Sequence, residues 1–76
     1  MLDMVIIDSP LSQSVMVEGH RFEIQIYRGE DTLWTLEVVN ENAISYVRDE
    51  LFPTDRNALG AALADFENNP VEDYLD

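Results

Sequence analysis

The segment Arg21-Phe22-Glu23-Ile24-Gln25-Ile26-Tyr27-Arg28 alternates between apolar and polar side chains at a period of two. Successive side chains of a strand point to opposite faces, so Phe22, Ile24 and Ile26 share one face while Arg21, Glu23, Gln25 and Tyr27 share the other. This is the signature of a half-buried strand. Leu33-Trp34-Thr35-Leu36-Glu37-Val38-Val39 repeats it with Trp34, Leu36 and Val38 as the apolar set. Gln13 to Glu18 offers Val15 and Val17 before these strands, and Ala43 to Arg48 offers Ile44 and Tyr46 after them.

The turns join the four strands to one another. Gly19-His20 suits a two-residue type II′ hairpin loop, with glycine at the first position. It pairs Val17 with Phe22 and Val15 with Ile24. An odd-length loop through Gly29-Glu30-Asp31-Thr32 sets Ile26 against Trp34 and Ile24 against Leu36. Asn40-Glu41-Asn42 sets Val38 against Ile44 and Leu36 against Tyr46. All three turns deliver one common apolar face, which a one-residue slip in any of them would destroy.

Pro53 ends the strand region and Thr54 is placed to cap a helix. From Asp55 to about Asn68, the residues Ala58, Leu59, Ala62, Leu63 and Phe66 form a stripe at helical spacing. Asp55 falls in the first turn, where the helix dipole favours an acid. Asn68-Asn69-Pro70 stops the helix. Fourteen helical residues and six or seven extended ones are both roughly 21 Å long, so one helix can cover one sheet face. Trp34, Leu36, Leu63 and Phe66 are the expected contacts between the two layers. The tail from Asn69 to Asp76 carries Asn at a cap position, Pro at the first helical position and Glu at the third. Two outcomes stay open: a last helical turn docking Val71, Tyr74 and Leu75, or a frayed end. Residues 1–10 read as an N-terminal extension of a single domain spanning 1–76.

The fold expected is therefore α+β, a four-stranded antiparallel meander of order 1-2-3-4 with one C-terminal helix packed on one face.

Sixteen carboxylates face four arginines and no lysine, a formal net charge of −12. Such a chain is repelled by phosphate backbones and anionic headgroups, which argues against direct nucleic-acid or membrane-surface binding. No apolar run approaches the roughly 20 residues of a spanning helix. The opening stretch, short, interrupted by Asp3 and without a basic residue, is not a signal peptide. Cysteine is absent, so disulfides and thiolate chemistry are excluded, and a cytoplasmic location is favoured because small secreted domains lean on disulfides.

A search for catalytic parts returns nothing that converges. His20 is the only histidine, and at the tip of a tight hairpin it has neither an orienting partner nor a water-excluding cleft. The serines lack a Ser-His-Asp arrangement. The acid pairs Glu30-Asp31, Asp49-Glu50 and Glu72-Asp73 are adjacent and diverge, unlike the alternating acids of a calcium loop. Zinc or iron wants several His or Cys ligands. Gly19, Gly29 and Gly60 are too scattered to cradle a phosphate. The reading is accordingly no enzyme, no cofactor and no metal.

Trp34-Thr35-Leu36-Glu37-Val38-Val39, then Ser45 with Val47 and Asp49, then Phe52-Pro53-Thr54-Asp55 and Ala58-Leu59, resembles a family of short uncharacterised bacterial proteins. The similarity runs from about Leu11 to Phe66. It implies a small protein complete in itself and carries over no function and no catalytic residue.

What remains is recognition. The outer sheet face is expected to present Met16, Arg21, Glu23, Tyr27, Thr35, Glu37, Val39 and Val47. Tyr27 is expected near Thr35 and Val47, with Met16 beside them, and Arg21 of one copy facing Glu23 or Glu37 of another. The functional reading is a non-catalytic, acidic protein-interaction or accessory domain whose partner is another protein, in one version itself as a weak homodimer. Two rivals come from other classes. One is an acidic decoy for the basic cleft of a nucleic-acid-binding protein, which would need its acids in an extended row. The other is an enzyme, which lacks a convergent site.

Overall fold

A computed structural model describes residues 5–75. Five strands and one long helix follow in order: β1 (Ile7–Asp8), β2 (Gln13–Val17), β3 (His20–Arg28), β4 (Thr35–Val39), β5 (Ser45–Val47) and α1 (Asp55–Asn68), then a 3₁₀ turn over Val71–Tyr74. The protein is α+β, as its alternation and helical stripe require. All strand pairs are antiparallel, and β2, β3, β4 and β5 lie side by side in chain order as a meander.

The expected four strands gain a fifth. Ile7 and Asp8 pair with Arg28 and Tyr27, so part of the supposed N-terminal extension belongs to the sheet; residues 1–4 of it lie outside the described residues. β1 and β2 share one edge of β3. Between Ser9, whose N–H donates to the Ile26 carbonyl, and Gln13, opposite Ile24, the edge advances four residues while β3 advances two. Pro10 sits in this loop-out, and the Ser12 hydroxyl replaces the missing ladder by accepting from Ile26 N–H at 3.0 Å. The opposite edge is interrupted in the same manner. Arg48 N–H donates to Leu36, and Phe52 then bridges Trp34, again four residues against two.

Every hairpin register differs from the expected one by two residues. Val15 faces Phe22, Ile26 faces Leu36, and Val38 faces Tyr46. The first turn is Glu18-Gly19, with φ of 51° and 84°, so it is Glu18-Gly19 and not Gly19-His20 that reverses the chain. Two positive φ values in succession match the type I′ twist, and glycine takes the second position at no steric cost. An even slip leaves each side chain on its predicted face.

Phe22, Ile24, Ile26, Leu36, Val38, Phe52, Ala58, Ala62 and Val71 form the buried core. Thr54 caps α1, its hydroxyl accepting from Asn57 N–H at 3.0 Å. The helix meets β3 and β4 through Ala58 and Ala62, small side chains that let its backbone approach the sheet closely. This crossing corrects the expected contacts. Leu63 points away and is 43% exposed, while Trp34 and Phe66 are only partly buried at the core's margin. Trp34 is covered instead by the Arg28 guanidinium, 5.0 Å from its ring centroid.

The C-terminal segment takes the docked outcome. Val71 is buried, Tyr74 and Leu75 pack on the core, and Tyr74 stacks edge-on against Phe22 and Tyr46. Pro70 caps the 3₁₀ turn rather than opening it, and Asn69 closes α1. Two buried polar residues tie these parts together. Ser9 donates to Asp55 at 2.7 Å, and Asn40 donates to the Tyr74 carbonyl at 2.8 Å while its own oxygen accepts from Asn42 and Ile44. No helix among the described residues is long and apolar enough to cross a membrane.

Candidate functional site

With α1 and the C-terminal turn on one side, the strands present their other face uncovered. Alternation and register lay it out in rows. Met16 stands beside Arg21; Ser14, Glu23, Val39 and Ser45 form a second row; Gln25, Glu37 and Val47 a third; Asp8, Tyr27 and Thr35 a fourth. All eight residues singled out from the sequence therefore lie on this face.

They do not form one patch. Arg21 and Tyr27 are six residues apart on β3, about 20 Å, so Met16 is remote from Tyr27. Tyr27 and Thr35 are directly opposed, as expected, while Val47 lies opposite Glu37. Met16 is 66% exposed and Val47 55%, and Tyr27, Thr35 and Val39 are partly buried among their neighbours.

The charges are held within the chain. Ser14 Oγ donates to Glu23 at 2.5 Å, and Arg21 reaches the same carboxylate at 3.1 Å and Ser14 Oγ at 3.3 Å. The Ser14 hydroxyl, with the Arg21 guanidinium behind it, lowers the Glu23 pKa against a smaller opposing effect of desolvation. Tyr27 donates its hydroxyl proton to Glu37 at 2.9 Å. Desolvation, then this acceptor, pushes the phenol pKa up. Arg21 and Glu37 thus have partners in their own chain, and contacts to a second copy would have to compete with these.

The sequence reading missed a depression at the Tyr27 end of the face. It holds about 460 Å³ and is lined by Val5, Ile6, Tyr27, Arg28, Thr35 and the turn from Gly29 to Thr32. Arg28 folds over this turn and donates to the Gly29 and Glu30 carbonyls, both at 3.0 Å. Leu33 and Leu51, flanking the Trp34–Phe52 bridge, leave about half of their surfaces in solvent. The available signal was Val5-Ile6-Ile7, the longest apolar run in an opening interrupted by Asp3 and Asp8.

His20 occupies a different place from the one its turn position suggested. It begins β3 opposite Val17, and its Nδ1 lies 2.7 Å from Glu41 Oε2 in the β4–β5 turn. This contact lowers the Glu41 pKa. The pair sits at the surface and no described pocket is lined by it. A second cavity, between β4, β5 and α1, holds about 50 Å³ beside the Arg48–Asp65 ion pair, far below the roughly 300–1,000 Å³ of a small-molecule pocket. Among the described residues no three His, Asp or Glu side chains gather as a metal site. No family model, no curated protein and no solved structure matches the chain, so the geometry of this face is the ground on which function is read.

Proposed function

We propose that this chain is a non-catalytic interaction or accessory domain, cytoplasmic, that binds another protein through the uncovered face of its sheet, with a second copy of itself as one such partner. The observation that supports the reading is the one-sided cover. α1 and the 3₁₀ turn pack on the Phe22 face, while the opposite face leaves Met16 and Val47 more than half exposed and ends in an apolar-walled depression at Tyr27 and Thr35. Exposed Met16 and Val47, set singly among charged neighbours, and the depression at Tyr27 suit a partner that brings apolar and basic side chains together. The resemblance to short bacterial proteins enters here as a proposed kinship and adds no activity.

The test is sedimentation of wild type beside Tyr27→Glu at high protein concentration. Wild type is expected to associate weakly, and more strongly as salt cuts the Debye length from about 30 Å at 0.01 M to about 3 Å at 1 M. Tyr27→Glu places a carboxylate beside Glu37 and is expected to associate less than wild type. A native partner that bound Tyr27→Glu as well as wild type would remove this face as the site.

A further inference from the structure

The two edges of the sheet differ in what they offer a neighbouring strand. β5 is three residues long and is followed at once by Arg48, Asp49 and Glu50, charges of the kind that keep edges apart. β2 is five residues long, and the stretch Ser9 to Val17 is the longest run of the chain without a charged side chain. In a protein of net charge −12, this is, among the described residues, the longer edge where a like-charged body can approach without meeting carboxylates on the contact line.

Its backbone is open. Val17, Val15 and Gln13 face His20, Phe22 and Ile24 across the two-residue turn, so they exchange the ladder bonds with β3. Ser14 and Met16 alternate with them, and their N–H and C=O groups point out of the sheet. Among the described elements only β3 pairs with β2. α1 crosses over β3 and β4, leaving Val15 and Val17 partly exposed on the helix side of this edge.

We propose that β2 pairs antiparallel with β2 of a second copy about a two-fold axis at Val15. The register follows from which groups are free. Ser14 of each copy meets Met16 of the other as a hydrogen-bonded pair, and Val15 meets Val15 as a non-hydrogen-bonded one, which gives four backbone bonds. Gln13 then faces Val17, and Glu18 falls opposite Ser12 rather than an acid. The strand is self-complementary in charge and in hydrogen bonding, as a closed two-fold contact requires. Five paired residues bury less than the roughly 1,200 Å² of a standard interface, so the dimer is weak. It uses the edge and not the face, and stands independently of the reading above.

The chain has no cysteine, so one substitution gives one thiol. Non-hydrogen-bonded antiparallel pairs hold their Cα atoms about 4.5 Å apart, inside the range a disulfide spans. Val15→Cys is expected to cross-link under mild oxidation at least ~10-fold faster than Val47→Cys on the face or Asp31→Cys in a turn, since only the first is juxtaposed with itself. Met16→Pro removes one outward N–H without touching a bond to β3, and is expected to sediment as a monomer where wild type associates. Circular dichroism confirms that each variant is folded. Equal cross-linking rates for all three thiols overturn the edge pairing. Faster cross-linking of Val47→Cys overturns it in favour of the face. Association of Tyr27→Glu equal to wild type, with rapid Val15→Cys cross-linking, removes the face and leaves the edge.

Discussion

The two faces of this sheet come from the same strands and behave as different materials. On one, Phe22, Ile24, Ile26, Leu36 and Val38 are almost free of solvent and meet Ala58 and Ala62 of the helix. On the other, Glu23, Gln25, Tyr27, Glu37 and Val39 are paired laterally, with Ser14–Glu23–Arg21 and Tyr27–Glu37 as short polar contacts in partial solvent. The first face excludes water and so draws stability from area and close packing. The second stays wet, so its polar pairs add little to folding. The edges repeat the lesson. Both loop out by two residues at mid-length, yet one is short and charged and the other longer and neutral.

The largest effect expected from this contrast is at Phe22. Phe22→Ala leaves a void beneath Phe66 and Tyr74 and should cost about 3–5 kcal/mol, much of what a domain this small possesses. Gln25→Ala, three positions away on the wet face, should change stability by no more than about 0.5 kcal/mol. Urea denaturation of both variants checks the pair, and similar losses would mean that the faces are not energetically distinct.

A middle effect belongs to Asn40, which is buried but polar. Asn40→Ala strands the Tyr74 carbonyl and the Asn42 and Ile44 N–H groups together, and should cost about 1–3 kcal/mol. Because Asn40 holds the 3₁₀ turn down, the variant should also lose the near-ultraviolet dichroism of Tyr74. Loss of melting temperature without that spectral change would show that the turn is held by Val71 alone.

The smallest effect lies on the wet face. Glu23 has a folded pKa lowered chiefly by the Ser14 hydroxyl, then by Arg21. A depressed carboxyl pKa stabilises the fold above the ordinary glutamate range and loses that contribution as pH falls through the folded value. Wild type should therefore be slightly more stable than Glu23→Gln at neutral pH, with the gap closing as acid protonates the carboxylate in the folded state. Thermal melts across that range measure it. A gap that persists undiminished in acid would mean that the carboxylate charge does not matter there.

The sequence by itself determined which side chains share a face and where the helix runs. A period of two assigns Phe22, Ile24, Ile26, Leu36 and Val38 to one side whatever the register, and Thr54, the stripe from Ala58 to Phe66 and Pro70 bound α1 by local chemistry alone. It also placed all eight candidate residues on one surface. Only the tertiary structure decided the registers, since slips of two preserve every face and alternation does not choose between Glu18-Gly19 and Gly19-His20. It alone recruited Ile7–Asp8 into the sheet, because two residues carry no periodicity, and it set beside them the Ser9–Asp55 contact 46 positions along the chain. It turned Leu63 outward and drew Ala58 and Ala62 inward, since the angle at which a helix crosses a twisted sheet selects which part of an apolar stripe touches it. And it alone separated Met16 from Tyr27, because proximity across a face depends on register and on distance along β3, quantities that alternation does not contain.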